Sequence, residues 1–200
     1  MANKFNINKD FTEYIKIFLE ENSKINLISK NDEKVLLEKH IYDSLSIKLT
    51  NKLKDNMTLL DIGCGGGFPS VPIAIEYPMI QVYGIDSIRK KINSLNNIKN
   101  KLGLNNLTTI CDRAENIKNM KFDIVTTRAV ARLEKIIELA LPLLKKDGYF
   151  IAYKSKKVSE EIAESEKILK KYNAYVNDII EYTLPLEEIF ERSLVLICFH

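Results

Sequence analysis

The 200-residue chain has three cysteines, two histidines and no long apolar run, and each shortage removes a class of protein. Cys64, Cys111 and Cys198 are odd in number and far apart, which fits neither a disulfide framework nor a zinc site. A reducing cytoplasm is therefore the expected compartment. His40 and His200 have no ligand-type neighbour at a useful spacing, so no metal is expected. Apolar runs such as Val71–Ile75 and Leu194–Phe199 fall far short of a membrane span. The amino-terminal MANKFNINKD lacks the apolar core of a signal peptide. No repeat, low-complexity tract or Pro/Gly/Ser linker divides the sequence, so residues 1–200 are expected to form a single domain. With 46% hydrophobic and 28% charged residues the composition is that of a folded globular protein. No large apolar stripe demands a partner, and a monomer is expected.

The net charge of +3 hides an asymmetry. Residues 1–50 balance at zero, residues 51–157 carry +8, and residues 158–200 carry −5. Positive charge is thus concentrated in the segment that holds the glycine-rich loop, which suits an anionic partner or a solvated basic surface.

The first fifty-five residues read as a helical extension. Phe11, Tyr14, Ile15, Phe18 and Leu19 recur at helical spacing, as do Val35, Leu36, Ile41, Leu45 and Leu49. Asn31-Asp32 is the expected start of the second helix. From residue 56 the pattern changes. Strands are expected at Thr58–Ile62, Gln81–Ile85, Leu107–Cys111, Phe122–Thr126 and Tyr149–Tyr153, with helices at Ile88–Leu102, Leu133–Leu144 and Val158–Lys171. Ala174–Tyr182 and Ser193–Phe199 then follow as two strands with little room for a helix between them. The alternation implies an α/β fold with a mostly parallel, Rossmann-like sheet of seven strands. The closing antiparallel hairpin favours the S-adenosylmethionine-dependent methyltransferase version over a plain dinucleotide-binding domain.

The loop Asp61-Ile62-Gly63-Cys64-Gly65-Gly66-Gly67-Phe68 stands where a strand hands over to a helix. A dinucleotide fingerprint needs a third glycine where this chain has Phe68. S-adenosylmethionine has no pyrophosphate and makes no such demand. Asp61 is a candidate to hold the loop or a methionine ammonium. Asp86 ends the next strand, where a carboxylate accepts from both ribose hydroxyls of an adenosine, although it could instead cap the following helix. Cys111-Asp112-Arg113-Ala114-Glu115 ends the third strand, placed to bracket an adenine. A tight turn, a cap and a solvated surface explain these features singly. Their occurrence at three consecutive strand ends points to an adenosine cofactor at the carboxyl edge of the sheet. Cys64, inside the turn, reads as a small filler and not as a nucleophile.

Several segments carry a family resemblance. Asn26-Leu27-Ile28-Ser29, His40-Ile41-Tyr42-Asp43-Ser44-Leu45 and Leu60–Pro69 resemble the bacterial 16S ribosomal RNA guanine-N7 methyltransferases (RsmG/GidB). So do Asp86-Ser87, Arg113-Ala114-Glu115, Thr127-Arg128-Ala129-Val130-Ala131 and Tyr153-Lys154, in the right order over nearly the whole chain. Cys64 and Gly66 depart from the Thr and Pro often found in that motif. The resemblance implies a cytoplasmic enzyme that uses S-adenosylmethionine to methylate N7 of a guanine in 16S ribosomal RNA of the small subunit. Cofactor contacts are then expected at Gly63, Gly65, Phe68, Asp86, Ala114, Glu115 and Arg128. RNA contacts are expected at Arg113, Arg128, Arg132 and Lys154, with Arg128 the candidate catalytic residue. Guanine N7 has a free in-plane lone pair, so positioning suffices and no base is required. The absence of an Asn-Pro-Pro-aromatic motif after Phe122–Thr126 agrees with that. Arg128 would meet phosphate or a base edge, or shape the pocket by pairing with Asp61, Asp86 or Asp112. The basic helix Ile88–Leu102 is expected to be a solvated face. A small-molecule methyltransferase on the same sheet, with an apolar pocket roofed by the amino-terminal helices, and a non-catalytic nucleotide-binding regulator are the alternatives.

Overall fold

Two helical segments precede the sheet in the computed structural model, which describes residues 7–155, 158–187 and 189–200. Helix α1 (Thr12–Ile25) buries Tyr14, Ile17, Phe18, Glu21 and Asn22, a helical stripe that includes two polar residues. Asn26 ends it in the left-handed conformation at φ 50°. The next segment starts earlier than the sequence suggested. The Ser29 hydroxyl accepts from the Asp32 N–H at 3.1 Å and caps α2 (Lys30–Glu33). The chain continues through a π-helical stretch, Leu37–Tyr42, then α3 (Asp43–Leu45) and a 3₁₀ turn, Ser46–Thr50.

The sheet contains β1 (Thr58–Ile62), β2 (Gln81–Ile85), β3 (Leu107–Ile110), β4 (Phe122–Arg128), β5 (Leu144–Ser155), β6 (Ala174–Leu184) and β7 (Phe190–Phe199). Their order is β3-β2-β1-β4-β5-β7-β6. The first five are parallel, while β7 runs antiparallel to both β5 and β6. This is the expected mostly parallel seven-stranded sheet with a closing hairpin. The crossovers are α4 (Ser70–Glu76), α5 (Arg89–Leu102), α6 (Leu133–Ala140) and the pair α7 (Ser159–Glu164) and α8 (Glu166–Lys171). Helix α6 ends at Ala140 and tightens into a 3₁₀ turn, Leu141–Leu143, where Pro142 has no N–H to extend the α-helical ladder.

Residues of β1 alternate between two cores. Leu59 joins the cluster formed by α1, α4 and α5, with Phe18, Val71 and Leu95, whereas Leu60 and Ile62 join α6 and α8 on the other face. Both faces of the central strands are therefore covered. The sheet order reverses between β1 and β4, which opens a crevice at the carboxyl ends of those strands.

Candidate active site

The glycine loop leaves β1 at this reversal. Gly63 has φ +72°, and a Cβ there would lie 2.5 Å from Val130 Cγ2, so only glycine fits under the turn that follows β4. The Gly63 and Cys64 N–H groups donate to the Ile85 carbonyl at 2.8 and 3.0 Å, tying the loop to β2. The Gly65 N–H donates to Asp86 Oδ2 at 3.0 Å. A cleft of about 380 Å³ opens beside the loop, with Ile62, Ile85 and Leu139 as apolar lining. Asp86, Ala114 and Glu115 line it together with Gly63 and Arg128.

Five of the expected cofactor positions thus meet in one cleft, and two stand apart from its lining. Gly65 is tied to Asp86, and Phe68 is only 6% exposed, its ring 5.0 Å from Phe18 and 5.1 Å from His40. Asp86 is tied to the chain just before α5 and also faces the cleft. Oδ1 accepts from the Ile88 N–H at 2.8 Å at the start of α5, and the carboxylate still lines the cleft. A carboxylate oxygen has two lone pairs, so acceptor capacity remains.

Arg128 ends β4 at the cleft wall, but its carboxylate partner is none of the three considered from the sequence. Nη1 donates to Asp43 Oδ2 at 2.8 Å, and Nη2 lies 2.5 Å from His40 Nδ1. The guanidinium also stacks 5.3 Å above the Phe68 ring. Asp43 is a hub that receives three further bonds, from Tyr182 Oη at 2.5 Å and from Arg192 Nε and Nη2 at 3.1 and 3.3 Å. Two half-buried guanidinium groups therefore share one buried carboxylate. Burial, and then the charge of Arg128, hold His40 down at about 4, so the ring is neutral at pH 7. With Nδ1 accepting from arginine, the ring proton belongs on Nε2. The 3.8 Å approach of Nε2 to Asp32 is accordingly a contact to a neutral ring and not an ion pair.

Beneath the loop, Asp61 is fully buried and accepts from the Ser70 hydroxyl at the head of α4. Its Oδ1 has no hydrogen-bond partner. Burial raises its pKa to about 7. Burial also pushes the Cys64 thiol up, away from the reactive thiolate form.

The basic residues separate. Arg113 is exposed on the cleft rim. Arg132 is exposed and paired with Glu164. Lys154 is 9% exposed, and its ammonium donates to the Ala131 carbonyl at 2.8 Å and to Glu161 at 2.7 Å. That placement gives Lys154 an internal partner in place of a free surface for RNA. Sequence reasoning missed Asp43 and Arg192. A signal for Asp43 existed: Leu36, His40, Asp43 and Ile47 share one helical stripe, and two polar residues on an apolar stripe mark a buried network. Arg192 had no local signal, because its partner lies 149 residues away.

Comparison with known proteins adds a family match. The GidB family model, described as rRNA small subunit methyltransferase G, matches residues 7–189. The ribosomal RNA small subunit methyltransferase G of Lachnoclostridium phytofermentans is 40% identical over 194 residues, covering 94% of this chain and 80% of that protein. The protein of the same name from Staphylococcus saprophyticus is 40% identical over 193 residues, with the same coverage of 94% and 80%. Among solved structures, M. jannaschii TYW2 in complex with AdoMet has a TM-score of 0.61 at 16% identity, covering 76% of this chain and 74% of that one. An rRNA methylase from Streptococcus thermophilus has a TM-score of 0.55 at 18% identity, covering 76% and 92%. At such identities the solved structures establish the fold, that of S-adenosylmethionine-dependent methyltransferases. Among the described residues no helix is long and apolar enough to cross a membrane, and no group of three or more His, Cys, Asp or Glu is placed to hold a metal.

Proposed function

The chain belongs to the rRNA small subunit methyltransferase G family, and from that premise we propose that it transfers a methyl group from S-adenosylmethionine to N7 of a guanine in 16S ribosomal RNA. The observation that carries the reading is the cleft at the sheet's reversal, with Asp86 and Glu115 in its lining and Arg128 on its wall. The residues fit the cofactor: Asp86 has acceptor capacity for a ribose diol, Ile62, Ile85 and Leu139 suit an adenine, and Asp61 Oδ1 lacks a donor. When bound, S-adenosylmethionine supplies an electrophilic methyl carbon. The protein's task is to hold the guanine so that N7 lies about 3 Å from that carbon, in line with the departing sulfur. No general base is needed, since N7 carries no proton. Arg128 suits the RNA side of the site. Asp43 neutralises only one of its two arginine partners, which leaves a positive excess for a phosphate or a purine edge. Arg113 at the rim extends that field, and Arg132 can exchange an exposed ion pair of small value for a phosphate.

The small-molecule alternative requires an apolar pocket roofed by the amino-terminal helices. Tyr14, Phe18, His40 and Phe68 instead close that space as packed rings. The reading further includes a cytoplasmic location and a single domain acting as a monomer.

Label transfer from radioactive S-adenosylmethionine to small ribosomal subunits from cells lacking the gene tests the proposal. Transfer is expected, and it should weaken steeply with salt as phosphate contacts are lost. Arg128→Ala should abolish it while the fold survives, because Arg192 still pairs with Asp43. Full transfer by Arg128→Ala, or transfer indifferent to salt, would count against the RNA-facing role.

A further inference from the structure

The turn Ala129–Arg132 joins β4 to α6 and forms one wall of the cleft. Ala129 is held at φ 55°, a left-handed conformation uncommon for a residue with a side chain. Val130 leans over Gly63 and is 43% exposed, so the turn packs against the cofactor loop with little else on its outer side. Its entry is anchored by Arg128 on His40 and Asp43. Its exit is anchored differently. Lys154, at the carboxyl end of β5, donates to the Ala131 carbonyl at 2.8 Å. The same ammonium donates to Glu161 Oε2 on α7 at 2.7 Å, and that oxygen also accepts from the Leu133 N–H at 2.7 Å. Leu133 opens α6, whose N-cap residue Arg132 makes no side-chain cap bond. Glu161 therefore caps α6 from another helix, where a carboxylate also complements the helix dipole.

An ion pair whose side chains are 10% and 22% exposed is a weak source of stability, because desolvation offsets most of its attraction. Its best-attested use is to fix register. What it ties down here is the turn whose residues Ala129 and Val130 line the cleft. We propose that Lys154 and Glu161 are a positioning pair that clamps the Ala129–Leu133 segment over the cofactor loop and so sets the approach of the acceptor base. Neither residue is among those that line the cleft. This rests on the methyltransferase reading above, and its test includes a measurement that does not depend on substrate.

The variants are Lys154→Met, Glu161→Gln, the two combined, and Lys154→Arg as the conservative control. Without substrate, amide hydrogen exchange at Leu133, whose N–H is held by Glu161, should speed up at least about tenfold in both single variants, while Ile124 and Ile151 in the sheet remain protected. With cofactor and small subunits, kcat should fall about tenfold or more, since small misplacement is costly, whereas KM for both stays within about threefold. The combined variant should be no slower than the slower single one, because the two act as a unit. Lys154→Arg should recover most of the rate. Unchanged exchange at Leu133 in both single variants overturns the clamp, as does unchanged kcat, or a loss of rate wholly accounted for by raised KM. If the wild type transfers no methyl to subunits, the RNA reading fails, and the exchange experiment still decides whether the clamp exists.

Discussion

Asp43 holds two guanidinium groups and a tyrosine hydroxyl at the point where the amino-terminal helices meet the sheet. Removing one partner of such a buried set leaves charge without compensation, at a cost of about 3–5 kcal/mol. Asp43→Ala should therefore lower unfolding stability by that order in chemical denaturation. A change below about 1 kcal/mol would mean that the network is solvated. The two buried titratable groups nearby give a pH test with opposite signs. His40 has its pKa lowered to about 4 from 6.5. As pH falls from 6.5 to 4 the unfolded chain takes up a proton that the folded chain refuses, so His40 erodes stability over that window. Asp61 is raised to about 7 from 3.8. As pH falls from 7 to 4 the folded chain takes up a proton before the unfolded one does, so Asp61 adds stability over nearly the same window. Each variant should unmask the other group. Relative to wild type, His40→Gln should gain stability toward pH 4 and Asp61→Asn should lose it, as urea titrations from pH 4 to 8 would show. Parallel curves for the three proteins would contradict both assignments.

At the scale of elements, what was legible in the sequence followed from short range. Strand, glycine turn and helix lie within one βα unit, so the sequence pattern alone puts Gly63 and Asp86 at neighbouring strand ends. The hairpin β6–β7 was legible because no helix fits between its strands. The breaks were less visible. The π-helical stretch at Leu37–Tyr42 turns His40 toward Arg128, and helical periodicity does not distinguish it from ordinary α-helix. The Asp43–Arg128 contact spans 85 positions, and nothing local to either residue specifies it. Helix α5 tests the reading of charge. It starts at Arg89 beside the cleft and runs back to the amino edge of the sheet. Lys99 and Lys101 therefore lie more than one helical turn beyond any contact with the site, and Lys101 faces Glu20 on α1. Reversing both charges should leave methyl transfer within about twofold, as expected for exposed positions. A large loss would place RNA along the whole helix.

Over the whole molecule, the positive excess of residues 51–157 supports an anionic substrate, and the fold directs part of it to one edge. Gly63, Asp86, Arg113 and Arg128 come from the ends of four different strands, yet all line one cleft at the sheet's carboxyl side. The amino-terminal helices close over that edge and supply Asp43, so the extension is part of the site's support. The chemistry is positional: guanine N7 carries no proton to remove, so the site has only to hold that ring nitrogen in line with the methyl donor. The most direct measurement is nucleoside analysis of 16S ribosomal RNA after reaction of undermethylated small subunits with the protein and S-adenosylmethionine, with the modified position mapped. A single 7-methylguanosine and no other new methylated nucleoside is the expected result. Methyl on an exocyclic amine, on carbon or on ribose would contradict it, because each of those acceptors must lose a proton or be activated before or during transfer, whereas N7 needs only to be positioned.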